Sequence, residues 1–168
     1  MIEHQLKSWS NISVTTDLVS DLPFLLCDRN QITQALINLL TNARDAMPET
    51  GDIIIRTNYE AKTSRLILQV ADTGSGIPPS VQSKIFDPFF TTKPVGKGTG
   101  LGLSIITGIV NAYGGEIKVD SVPQQGTTFT IFFPANPLPV VAYHATASGR
   151  FDDTVYPTSR VNGFPGNS

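Results

Sequence analysis

Two pairs of alternating, β-branched segments constrain this chain most: 52–59 with 65–72, and 116–122 with 127–133. Apolar and polar residues that alternate over such lengths mark half-buried strands. Residues 60–64 predict a hairpin loop in the first pair, and Pro123-Gln124-Gln125-Gly126 the turn of the second. Asn11 to Thr16 also alternates, with Ile12 and Val14 on one side, and predicts a further short strand. Leu22 to Cys27 is a short apolar run, but Pro23 lacks the N–H a ladder needs. It reads as an edge strand or an extended connector.

Between the strands, apolar residues recur at helical spacing from Ile32 to Met47, with Asp28 placed as an N-cap. Pro48 disfavours the α conformation in the residue before it, so this helix should stop near Met47. Pro79 to Ile85 predicts a short helix with proline at its start. Leu103 to Tyr113 predicts a third, ended by Gly114-Gly115. Phe86 to Gly102, rich in glycine and phenylalanine and without a period, reads as a long loop, and long ordered loops often carry function.

Composition narrows the classes. The 168 residues carry 12 Lys+Arg against 14 Asp+Glu, a near balance that argues against a general nucleic-acid binder. A hydrophobic content of 40% is enough for a core. One cysteine, Cys27, excludes an internal disulfide or a Cys-rich metal centre and fits a cytoplasmic, reducing compartment. No apolar stretch approaches the roughly 18 residues of a membrane span, so no direct membrane contact is expected. Residues 1–10 read as a linker, 11–135 as the folded domain and 136–168 as a linker or flexible tail.

Four segments carry candidate chemistry. Asn38, Asn42 and Asp45 are spaced four and three, which puts them on one stripe of the long helix with Gln34 on the same side. Amide oxygens there can ligate Mg²⁺; a solvated polar face has the same spacing. Asp72 ends an apolar strand before Thr73-Gly74-Ser75-Gly76-Ile77 and can accept a hydrogen bond from an exocyclic amine such as adenine's. Taken alone, an ordinary Asp-Thr-Gly turn is the plainer reading. Gly96-Lys97-Gly98-Thr99-Gly100-Leu101-Gly102-Leu103 alternates glycine into a helix start, where N–H groups and Lys97 can cradle phosphates. It is neither a P-loop nor G-x-G-x-x-G, and a flexible surface loop is the plain alternative. Phe86-Asp87-Pro88-Phe89-Phe90 upstream suits a flap that packs down over a ligand, or simple core packing.

Taken in order, these segments resemble the ATP-binding domain of sensor histidine kinases. Residues 38–46 are similar to its N box, 72–77 to its G1 box, 86–93 to its F box and 98–103 to its G2 box. The wider superfamily includes DNA gyrase B, the Hsp90 chaperone and MutL. The resemblance implies the Bergerat fold, an α/β two-layer sandwich: a mixed, mostly antiparallel sheet of about five strands with three helices on one face. It implies ATP and Mg²⁺ as cofactors, with Asn42 as metal ligand and Asn38 beside it. Asp72, helped by Thr127 and a water, would bind the adenine amine, and Gly74 and Gly76 would let the base approach. Lys97 with Gly98, Gly100, Leu101 and Gly102 would hold phosphates, and Lys93 would be a further phosphate contact. Asp45, Ile77, Phe90, Thr92, Thr99 and Leu103 complete the nucleotide-binding set, and Phe86 to Thr99 would be the ATP lid.

Hydrolysing members of the superfamily carry a glutamate four residues before the metal-binding asparagine. Here that position is Asn38, an amide that takes no proton at neutral pH, which favours transfer to a protein side chain over hydrolysis. The expected activity is that of a protein-histidine kinase in a two-component system. Neither His4 nor His144 sits in the His-Glu-x-x-x-Pro context of a phosphoacceptor, so both read as surface histidines. The expected partners are a separate phosphoacceptor and dimerisation domain and, downstream, a response-regulator receiver, with this chain a monomer. A gyrase- or Hsp90-like ATPase, and a nucleotide-binding module inactive on its own, are the alternatives.

Overall fold

The computed structural model describes residue 9 and residues 11–94 and 98–135. Its strands are β1 (Ile12–Asp17), β2 (Gly51–Glu60), β3 (Arg65–Asp72), β4 (Glu116–Val122) and β5 (Gly126–Pro134). Its helices are α1 (Arg29–Asp45), α2 (Pro79–Gln82) and α3 (Gly102–Ala112). The strands form one sheet in the order β1-β2-β3-β5-β4. Among the described strands, only β1 and β2 pair in parallel. A parallel pair needs a crossover, and α1 supplies it.

Directly opposed residues share a face of a sheet, so the register reads off the core. Ile55 stands opposite Val70, Val70 opposite Phe129, and Phe129 opposite Val119. On the covering layer, Ala35, Leu39, Leu40 and Ala43 of α1 recur at helical spacing and are buried, as are Ile106 and Val110 of α3. Ile53, Ile106 and Ile131 have no exposed surface, and each such side chain contributes about 1.5–3 kcal/mol by leaving water.

The ends of α1 follow local chemistry. The Asp28 carboxylate accepts from Asn30 N at 2.7 Å, capping the first turn. The helix closes at Ala46, two residues before Pro48. The Tyr113 hydroxyl, just past α3, accepts from Asp28 N at 2.9 Å and pairs with Gln31 Oε1 at 2.5 Å. The start of α1 is thereby tied to the end of α3.

Leu22 to Cys27 is a connector: it has a single bridge residue, Phe24, and Phe24 and Leu26 point outward. The helix expected over 79–85 is regular only to Gln82 and then breaks into turns. The expected tail 136–168, most of the linker 1–10, and both His4 and His144 lie outside the described residues.

Candidate functional site

The buried face of the sheet turns polar at one end. Asp72 closes β3 opposite Thr127 on β5, and Thr127 stands opposite Ser121 on β4. Asp72 is 9% exposed and Thr127 5%. Gly74 N donates to Asp72 Oδ1 at 2.8 Å. Burial pushes the Asp72 carboxyl above its ordinary pKa, and the Gly74 and Thr127 backbone groups partly offset that. Gly126 is required where β5 begins: its φ is +106°, and a Cβ there would lie 1.9 Å from the Asp72 carbonyl oxygen.

Above this floor lies a cavity of about 440 Å³, within the range of small-molecule sites. Asn38, Asn42 and Asp45 of α1 line one side, as their helical stripe requires. Lys93 reaches across from the loop after α2, with Nζ 2.7 Å from Asp45 Oδ2 and 3.4 Å from Asn42 Oδ1. Arg44 binds the other Asp45 oxygen at 2.5 Å. Desolvation raises the Asp45 pKa, but hydrogen bonds and charge from Lys93 and Arg44 outweigh it and hold the group below its ordinary value. Asn38 is already engaged at both ends of its amide: Nδ2 donates to Gly102 O at 3.4 Å, and Oδ1 accepts from Gln34 at 3.2 Å.

The glycine loop and the start of α3 complete the lining, beside the α1 stripe. Phe89 N donates to Gly100 O at 2.9 Å. Both residues have positive φ, +66° at Phe89 and +65° at Gly100. Helix α3 begins without a side-chain cap. Its N-terminus therefore offers backbone N–H groups and a favourable dipole to an anion.

Of the residues singled out from the sequence, Asn38, Asn42, Asp45, Asp72, Gly76, Ile77, Phe90, Thr92 and Lys93 line the cavity. So do Gly98, Thr99, Gly100, Gly102, Leu103 and Thr127. Gly74 is set back and acts through its bond to Asp72. Leu101 does not line the cavity; it precedes α3, its N–H on Thr99 Oγ1 at 3.3 Å. Lys97 lies outside the described residues.

Sequence reasoning missed Ser121 and Gln82. Gln82 Nε2 donates to Ile77 O at 2.8 Å and to Ser121 O at 3.0 Å, tying the loop after β3 to β4. Ser121 alternates like any strand residue, and only the β4–β5 register reveals its place.

The donor set fits an elongated ligand. The lining combines the buried Asp72 carboxylate with the apolar Ile85 and Phe129, suited to a flat base with an amino group. It also includes the uncapped N-terminus of α3, suited to anions. Beside it, two hard oxygens, on Asn42 and Asp45, already hold a cation in the form of Lys93. Amide and carboxylate oxygens of this kind suit Mg²⁺.

Comparison with known proteins agrees with that geometry. Residues 27–137 match the family model described as "Histidine kinase-, DNA gyrase B-, and HSP90-like ATPase". Sensor kinase CckA of Brucella abortus is 47% identical over 137 residues, 74% of this chain and 14% of the relative. The signal transduction histidine-protein kinase AtoS of Escherichia coli is 41% identical over 128 residues, 76% of this chain and 21% of the relative. The chain thus spans about a fifth or less of these relatives' length. Among solved structures, the mycobacterial sensor histidine kinase MprB superposes with a TM-score of 0.69 at 29% identity, covering 82% of this chain and 91% of its own. The catalytic domain of histidine kinase ThkA gives 0.68 at 34%, covering 80% and 85%.

Proposed function

Because the chain belongs to the family of histidine kinase-, DNA gyrase B- and HSP90-like ATPases, we propose that it binds Mg²⁺·ATP and donates the γ-phosphate to a histidine on a separate phosphoacceptor and dimerisation domain. The observation that carries this reading is that a buried Asp72, the Asn42 and Asp45 side chains and the start of α3 line one cavity.

The Asp72 carboxylate accepts from the exocyclic amine of adenine, while Ile85 and Phe129 flank the base. The backbone from Gly98 to Gly102, together with Lys97, holds the phosphates at the start of α3. Asn42 is the metal ligand, with Asp45 beside it. Mg²⁺, when bound, neutralises phosphate charge and orients the transferring group. Lys93, which holds the same two oxygens, would be a further phosphate contact. Phosphoryl transfer needs mainly positioning and charge neutralisation, and these side chains are of the kind that supply it.

Asn38 supports transfer over hydrolysis. Its amide has no basic lone pair to activate a water, and both its ends are occupied by Gln34 and Gly102. On this reading residues 11–135 are the catalytic module, preceded by a linker and followed by a linker or tail, acting as a monomer in the cytoplasm. The histidine kinase ThkA has been solved in complex with the response regulator TrrA, and a receiver of that kind would be the downstream partner here. No helix among the described residues is long and apolar enough to cross a membrane.

The test is to mix the chain with Mg²⁺, γ-labelled ATP and a helical phosphoacceptor domain carrying its histidine. Acid-labile label on that domain, absent from its His→Gln variant, is the expected result. Label released as free phosphate instead would establish the hydrolysing alternative.

A further inference from the structure

Ser121 lies behind the cavity floor, opposite Thr127, without lining the cavity itself. Three groups meet its hydroxyl. Ile77 N donates to Oγ at 2.8 Å, Oγ donates to Gly126 O at 3.0 Å, and Thr127 Oγ1 lies 2.9 Å away.

Proton counting decides the direction of the last contact. A serine hydroxyl has one proton and two lone pairs. The Ile77 amide can only donate, so it takes one lone pair. The Gly126 carbonyl can only accept, so it takes the proton. What remains for Thr127 is a lone pair, and the Thr127 O–H therefore donates to Ser121. Gln82 reinforces this by bonding both Ile77 O and Ser121 O, which holds the Ile77 amide on the hydroxyl.

The Thr127 oxygen then has only lone pairs left for the cavity. Its neighbour Asp72, when ionised, is also a pure acceptor. A base edge carrying an amino group satisfies such a floor. A 6-oxo oxygen in the place of that amino group meets acceptors alone, and an unpaired buried polar group is costly.

We propose that Ser121 is a positioning residue: it fixes the Thr127 hydroxyl as an acceptor and thereby makes the site select a 6-amino purine over a 6-oxo purine. This rests on the reading of the cavity as a purine nucleoside triphosphate site.

The experiment compares the affinities of Mg²⁺·ATP and Mg²⁺·ITP, by calorimetric titration, for the wild type, Ser121→Ala and Ser121→Thr. In Ser121→Ala the Thr127 hydroxyl is free to turn and donate to the oxo group. The ATP-to-ITP affinity ratio should fall about tenfold, the equivalent of one hydrogen bond, and Ser121→Thr should restore it. If Ser121→Ala weakens both ligands by the same factor, its role is structural and the proposal is overturned. Should Ser121→Ala fail to fold, Thr127→Val provides the same test, since it removes the hydroxyl that Ser121 orients. An unchanged ratio in Thr127→Val overturns the proposal too. Failure of the wild type to bind ATP overturns the nucleotide reading and the proposal with it; ATP binding with an unchanged ratio overturns the proposal alone.

Discussion

Asp72 stands opposite Thr127 across β3 and β5, a buried carboxylate on a sheet face that is otherwise filled by Ile53, Val70, Phe129 and Ile131. Desolvation raises its pKa. A carboxylate kept charged in such a place works against the fold, so its value lies in what it binds.

That cost has a sign that can be checked. A carboxyl whose folded pKa is raised binds its proton more tightly in the folded state than in the unfolded chain. The wild type therefore gains stability as pH falls through the raised Asp72 pKa toward the ordinary carboxylate range. Asp72→Asn keeps the acceptor for Gly74 N and removes the charge. Ligand-free Asp72→Asn should melt at or above the wild-type midpoint at neutral pH, with the gap closing in acid. Thermal scans across pH read this directly.

Gly126 permits β5 to start against the carbonyl of Asp72. A Cβ there would sit 1.9 Å from that oxygen, at a φ of +106°. The clash is with backbone, which cannot rotate away. Gly126→Ala should cost more than about 2 kcal/mol, the upper part of the penalty for left-handed backbone alone. Denaturant titration measures it. A loss confined to a few tenths would mean the hairpin relaxes freely.

Asn42→Ala leaves α1 intact, because alanine is the better helix former. On the proposed reading it removes a metal ligand. ATP affinity in Mg²⁺ should fall by about 1.5–3 kcal/mol, the usual worth of a polar bond to a charged group. Affinity in the presence of a chelator should barely change. Equal losses with and without the metal would move Asn42 out of the metal-binding role.

The bond between Lys93 and Asp45 ties the loop to α1. Both side chains are partly exposed, at 33% and 25%, so the pair is worth under about 1 kcal/mol. Its signature is local. Asp45 is held below its ordinary pKa, so its stabilising contribution is present above the ordinary carboxylate range and is lost as pH falls through the lowered value. Lys93→Ala should speed amide exchange at residues 91–93 while moving the global melting point little.

The sequence made legible those features that depend on periodicity or local chemistry. The Asp28 cap, the α1 stripe of Asn38, Asn42 and Asp45, both hairpins and the glycine stop after α3 are all of this kind. What it left hidden depends on pairing at long range. Ser121 acquires its place only when β4 is registered on β5, and the engagement of Asn38 by Gly102 joins residues far apart in the chain. Leu22 to Cys27 stayed open between strand and connector because a single apolar run cannot say whether a partner strand is within reach. Leu101 sits in a stretch whose neighbours Gly98, Thr99, Gly100, Gly102 and Leu103 line the cavity, yet its own place before α3 turns it aside.

The most direct measurement is the thermal unfolding midpoint with and without Mg²⁺·ATP, for the wild type and Asp72→Asn. At about 100-fold excess over the dissociation constant, bound nucleotide should add roughly 2.7 kcal/mol, or about 5–10 °C. The account predicts that shift in the wild type and its loss in Asp72→Asn. No shift in the wild type at saturating ATP, or an equal shift in both proteins, would contradict it.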